Sequence, residues 1–173
     1  MIDFEGDKLV VRDLCAVDID EIVAGEIAQG WHATRDKYEM RLRDAAEGRC
    51  TALCAEYCGK PVGYINLYYR AYAPMDRTGL PEIVDFGVLE EYRKNGIGSA
   101  LMDAAEALAA ERADAVCLGV GLHSGYGAAQ RMYVKRGYIP DGTGVWYGGK
   151  TLEPYAPCVN DDDLNLFFVK KFC

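Results

Sequence analysis

"YRKNGIGSALMDAAE", residues 92–106, decides how the rest of the chain is read. Two basic residues, an asparagine, two glycines and a serine stand ahead of a run with helical apolar spacing. Glycine inside a helix costs about 1 kcal/mol against alanine, so Gly96 and Gly98 at the mouth of one need a reason. A turn is one reason. An anion lying against bare main chain is another. Upstream, "EIVDFGVL" (Glu82–Leu89) reads as a strand. Downstream, Gly96 to about Arg112 reads as an amphipathic helix with Ile97, Leu101, Ala104, Ala105 and Leu108 on its apolar stripe. A strand–loop–helix junction exposes the N–H groups of the first helical turn, and those donors with the helix dipole suit an anion. Gly96 and Gly98 let a phosphate approach the main chain, while Arg93 and Lys94 add local positive charge. One such contact contributes only about 0.3–1 kcal/mol, against about 8 kcal/mol for micromolar binding. The ligand must therefore be held by several N–H groups and by more than its phosphates.

The rest of the chain alternates helix and strand patterns. "KLVVRDL" (Lys8–Leu14) predicts a first strand. Asp18 is placed to cap a helix through about Ala28, with Ile19, Ile22, Val23 and Ile27 near helical spacing. Thr34 is placed to cap a second through about Ala46. "CTALCAEYCGKPVGYINLYYR" predicts a hairpin turning at Gly59-Lys60-Pro61. "PMDRTGLP" reads as a loop, "AVCLGVGL" (Ala115–Leu122) as a short apolar strand, and "GAAQRMYVKR" (Gly127–Arg136) as a short helix stopped by Gly137. "DGTGVWYGGK" holds a turn and a strand, and "DDDLNLFFVKKF" ends the chain with another. The order implies a single α/β or α+β sheet domain over residues 1–173.

Composition narrows the function. The 173 residues carry 19 basic and 27 acidic side chains, a formal net charge of −8. That excess argues against nucleic-acid binding, which needs a basic footprint, and favours a cationic substrate. The N-terminus "MIDFEGDK" lacks an apolar signal core, and no apolar run approaches the roughly 20 residues of a membrane span. Seven cysteines, an odd count, fit reduced thiols in a cytoplasm. Cys50, Cys54 and Cys58 recur every four residues, but they fall on a strand pattern without a nearby histidine, so no metal is expected.

Two nucleotide signatures are absent. The Walker loop pattern G-x-x-x-x-G-K-[ST] does not occur here. A dinucleotide fingerprint needs a third glycine where Leu101 stands. What the stretch does fit is R-x-x-G-x-G, as Arg93-Lys94-Asn95-Gly96-Ile97-Gly98. With "AAQRMYVKRGYIP" (Ala128–Pro140), in which Ala129, Tyr133, Lys135, Gly137 and Tyr138 match A-x-x-x-Y-x-K-x-G-[FY], the chain resembles the GNAT family of acyl-CoA-dependent N-acetyltransferases. The specific resemblance covers roughly Glu82–Asp141.

The resemblance implies a mixed, mostly antiparallel sheet of six to seven strands, flanked by about four helices and splayed between the fourth and fifth strands. It implies acetyl-CoA as cosubstrate, without a metal. Val88 would pair with the pantetheine arm, and Arg93, Lys94, Asn95, Gly96, Ile97, Gly98 and Ser99 would cradle the pyrophosphate. An amine would attack the thioester directly in a ternary complex, which requires a proton acceptor, an oxyanion donor and a proton for the thiolate. Tyr133 matches the tyrosine that protonates the leaving thiolate; otherwise it is a core aromatic beside Ala129 and Met132. Glu82 matches the base glutamate of histone-acetylating relatives; otherwise it is a solvated strand end. Asp85, of opposite parity, is the alternative base. The chain departs from the family pattern at Tyr126, where many members carry an asparagine that contacts the arm. His123 lies nearby without a visible carboxylate partner, and the resemblance would place His32, between the first two helices, at the border of the substrate cleft. The acceptor is a small-molecule or peptide amine, and exposed sheet edges allow a homodimer. The alternative is a non-catalytic CoA-binding or sensor module, which needs the glycine mouth but neither Tyr133 nor a base.

Overall fold

The computed structural model describes residues 2–4, 8–71 and 74–172. The chain forms two compact units, Met1–Tyr69 with Ile83–Glu111, and Arg70–Glu82 with Arg112–Cys173. Nine strands and four α-helices occur among the described residues. The strand count exceeds the expected six to seven because two very short strands, Ile2–Phe4 and Lys150–Thr151, carry too little pattern to be read.

The first unit holds strands β1 (Ile2–Phe4), β2 (Leu9–Asp13), β3 (Cys50–Tyr57), β4 (Lys60–Tyr68) and β5 (Glu82–Val88). Glu82 itself falls with the second unit. Antiparallel ladders join β1 to β2, β2 to β3 and β3 to β4, and β5 lies beside β4. The β3–β4 turn sits one residue earlier than the sequence suggests. Cys58 (φ +52) and Gly59 (φ +79) occupy its two central positions, the double left-handed geometry that matches strand twist in a two-residue hairpin. Pro61 is thereby drawn into β4, opposite Glu56, where the register shifts.

Helices α1 (Ile19–Ala28) and α2 (Arg35–Ala46) fall where their periodicity places them. Their caps differ from expectation. Asp18 bonds no helix N–H; it accepts from the Arg12 guanidinium at 2.7 and 2.8 Å and from the Cys15 N–H at 2.8 Å. Thr34 occupies its cap position without a side-chain bond. The inward face of α1 also differs. Ile19 and Ile22 are buried, Ile27 is 57% exposed, and Glu26 is buried instead. The tyrosine hydroxyls of Tyr38 (2.6 Å) and Tyr64 donate to its two carboxylate oxygens, which satisfies a group that is otherwise costly to bury. Around it Leu14, Ile19, Ile22, Tyr38, Ala52, Cys54 and Tyr64 form one core cluster.

Helix α3 (Ile97–Ala110) buries Ala100, Met102 and Ala109 besides the expected Ile97, Leu101, Ala104 and Ala105. It packs on β4 across Gly63, where a Cβ would lie 3.2 Å from Leu101 Cδ1 and 3.0 Å from the Gly87 carbonyl. The close approach explains the glycine.

In the second unit, β6 (Ala115–Gly121) pairs antiparallel with β9 (Leu164–Lys171). β9 pairs with β7 (Ile139–Tyr147), and β7 with β8 (Lys150–Thr151). Helix α4 (Gly127–Lys135) ends before Gly137, at φ +88, as its sequence predicts. Ala71, Met75, Cys117 and Phe167 form the core here. No helix among the described residues is long and apolar enough to cross a membrane.

Candidate active site

The glycine-rich mouth belongs to the first unit. After β5 a single 3₁₀ turn (Glu90–Tyr92) leads to Arg93, and Lys94 (φ +69) and Gly96 (φ +78) both take the left-handed conformation. A Cβ on Gly96 would meet nothing within 4 Å. The backbone angle therefore demands this glycine, and the space above the loop is open. Ile97, buried, anchors the helix start. Among the described residues, the N–H groups of Lys94 to Ser99 donate to no backbone carbonyl. Asn95 folds the loop from within, its side-chain amide donating to the Tyr92 carbonyl at 3.0 Å.

Arg93 is engaged. Its guanidinium sits 5.5 Å from the centre of the Trp31 ring and 3.2 Å from Glu90, and its Nε donates to the Val88 carbonyl at 3.4 Å. Lys94 and Ser99 are exposed. An anion at this mouth meets main-chain donors first, with Lys94 an exposed positive charge beside them.

Upstream on β5, Asp85 holds φ +50. A non-glycine residue in that region is strained by about 1–3 kcal/mol and persists where its surroundings over-determine it. The expected alternation between Glu82 and Asp85 assumed a regular strand, so parity does not decide which way Asp85 faces. Its carboxylate is ion-paired with Arg41 of α2, Nε at 2.8 Å and NH2 at 2.6 Å. Asn66 of β4 donates its amide to the Val84 carbonyl at 3.3 Å. Neither Arg41 nor Asn66 carries any motif, and the sequence reading missed both.

The second unit holds Tyr133 and Glu82. Tyr133, 5% exposed, packs its ring 5.7 Å from that of Tyr138. Burial, and then the neighbouring Tyr126, raise its phenol well above the ordinary tyrosine value. Glu82 is 7% exposed, so it is not a solvated strand end. Beside it in sequence, the Pro81 carbonyl accepts from the Cys117 N–H at 3.0 Å. Burial, with the Glu82 charge adding to it, pushes the Cys117 thiol up to about 12, so it stays a protonated core residue.

Tyr126 fills the position of the missing asparagine differently. Its ring lies close against Gly121, where a Cβ would come within 2.3 Å of it, and its hydroxyl donates to Asp162 at 2.8 Å. His123 also has an acidic partner, contrary to the sequence reading. Its Nε2 lies 3.1 Å from Asp162, and its Nδ1 accepts from the Gly125 N–H. Both ring nitrogens are thus engaged, which leaves the imidazole no open lone pair for a substrate proton. Asp162 is 39 residues away in sequence. His32 is exposed.

Residues 18–138 match the model of the acetyltransferase (GNAT) family. No curated protein sequence matches the chain. Among solved structures, Ard1 from Thermoplasma volcanium is similar at a TM-score of 0.69 and 22% identity, covering 96% of this chain and 99% of that one. The PaiA N-acetyltransferase from Thermoplasma acidophilum, in complex with coenzyme A, is similar at 0.67 and 17%, covering 96% and 100%. Naa50 from Arabidopsis thaliana, in complex with the bisubstrate analogue CoA-Ac-MVNAL, is similar at 0.65 and 19%, covering 96% and 100%. At these identities the structures speak for the fold, and the family match spans well over half of the sequence. The chain belongs to the GNAT family of acetyltransferases.

Proposed function

We propose that this acetyltransferase moves an acetyl group from acetyl-CoA to a primary amine by direct attack in a ternary complex. The observation that carries the reading is the mouth of α3: a run of N–H groups without backbone acceptors, opened by a left-handed Gly96 with clear space above it. That cradle fits a diphosphate, and the coenzyme bound to the PaiA structure adds support. Bound acetyl-CoA supplies an activated thioester. Lys94 to Ser99 hold the diphosphate through main-chain N–H groups, and Val88 offers its backbone to the pantetheine arm. Tyr133 donates its Oη proton in a hydrogen bond toward the leaving sulfur. Its raised affinity for that proton keeps the donor loaded, while full transfer to a thiolate of ordinary pKa, about 8.5, runs uphill. Hydrogen bonding is therefore its main contribution. Glu82, buried near the head of β5, takes the proton from the acceptor.

Thiol release from acetyl-CoA across a panel of primary amines tests the reading. Amine-dependent release supports it, whereas protection by CoA without release under any amine identifies a binding module instead. The Glu82 role has its own check. Glu82→Gln is expected to abolish the acidic limb of the pH–rate profile, and an unchanged profile removes Glu82 from the mechanism.

A further inference from the structure

The Arg41–Asp85 pair is asymmetric. Both guanidinium contacts, from Nε and NH2, fall on Oδ2 of Asp85. Among the described residues Oδ1 receives no donor, and the Asp85 side chain is 28% exposed. One carboxylate oxygen is thus fixed, and the other has no donor among the described residues. Arg41 is buried, and its NH1 donates to the Tyr68 hydroxyl at 2.5 Å, which in turn donates to Asp44. That guanidinium also lies 4.0 Å from Asp44, so one buried cation serves two carboxylates. Asn66, buried in β4, steadies the neighbouring backbone through the Val84 carbonyl. Arg41 and Asn66 thus fix Oδ2 and the adjoining backbone, and Oδ1 is the carboxylate oxygen without a donor among the described residues.

We propose that Asp85 is the acceptor-binding residue of the transfer reaction. Its Oδ1 accepts a hydrogen bond from a primary alkylammonium, and Arg41 is the positioning residue that holds Oδ2. The inference rests on the acetyl-transfer reading and names its acceptor class. An ionised carboxylate oxygen only accepts, and an ammonium offers three donors on a compact charge. Charge-assisted bonds of this kind are about twice as strong as neutral ones. The same unit already seats one ammonium. Lys37 Nζ lies 4.6 and 4.9 Å from the Tyr38 and Tyr64 ring centres and 3.8 Å from Glu26. The Tyr64 hydroxyl in turn sits 2.7 Å from where a Cβ on Gly87 would be, two residues along β5 from Asp85. At about 3.3 Å per strand residue, Asp85 lies about 10 Å upstream of Val88, the residue assigned to the pantetheine arm.

The test uses n-butylamine, cadaverine and Nα-acetyl-lysine amide as acceptors. Asp85→Asn is expected to raise the amine KM by about tenfold or more and leave the acetyl-CoA KM unchanged. In a heat-shift assay with CoA bound, each amine raises the wild-type Tm and fails to raise that of Asp85→Asn. Arg41→Met follows the same pattern, and Arg41→Lys, which keeps the charge and loses the fork, falls between. Asp85→Gly adopts the left-handed angle without strain and serves as the folded control lacking the carboxylate. An unchanged amine KM and amine heat shift in Asp85→Asn or Asp85→Gly overturns the proposal. A wild type that is protected by acetyl-CoA but turns over none of the three amines overturns the acceptor class. Failure of acetyl-CoA to protect the wild type overturns the underlying reading.

Discussion

Burial raises the Tyr133 phenol above its ordinary value of 10.0, and Tyr126 adds to the shift. A group shifted upward stays protonated past that value, so Tyr133 keeps its proton throughout an assay run below pH 10. Replacing it removes a hydrogen-bond donor and leaves every titration below that pH in place. Tyr133→Phe is therefore expected to lower kcat by about 10²-fold with little change in the acetyl-CoA KM. The alkaline limb of the pH–rate profile keeps its position. An alkaline limb that disappears with the hydroxyl would make Tyr133 the titrating group and contradict its burial. The same consideration of surroundings separates the other candidates. His123 has both nitrogens engaged, Arg93 is stacked and paired, and Asp85 has one oxygen without a donor among the described residues.

At the junction of β5 with α3 a local backbone requirement shapes the proposed coenzyme site. Gly96 caps the helix at φ +78, and a Cβ there meets empty space. Gly96→Ala is therefore strained by its backbone angle alone, by about 1–2 kcal/mol. If α3 instead starts one residue later to relieve the strain, the first-turn N–H groups turn away from the mouth. The variant is expected to fold with a modest loss in denaturant midpoint and to lose most of its heat shift with acetyl-CoA. A variant with the stability loss and an intact heat shift would detach the glycine from ligand binding. Neighbouring elements are tuned in the same manner. Gly63 lets α3 approach β4, and the left-handed pair at Cys58 and Gly59 sets the β3–β4 register.

Across the whole chain, the formal charge of −8 makes the proposed anion site at the α3 mouth a local feature of an acidic protein. Binding there must be linked to folding, because the unfolded chain lacks the aligned N–H groups. Acetyl-CoA at a hundred times its Kd is expected to add about 2.7 kcal/mol of stability, which is roughly 5–10 °C in Tm for a protein of this size. Differential scanning calorimetry over a range of acetyl-CoA concentrations checks this. A Tm that does not move with concentration would mean that the folded state holds no such site.

The features legible in the amino-acid order are those that the backbone enforces over a few residues. The helical stripe of α3, Gly96 at its mouth, Gly137 after α4, and the apolar strand runs all express a local period or a local φ requirement. The candidate chemistry on those elements was legible as far as a motif spans it, from Arg93 to Ser99 and at Tyr133. Folding alone brought Asp85 to Arg41, 44 positions apart, His123 to Asp162, 39 apart, and Tyr64 to Glu26, 38 apart. Those pairings depend on which helix packs over which strand and on a left-handed residue that breaks the alternation of β5. A contact between distant residues is fixed by packing and ladder register, for which no neighbouring residue carries a signal.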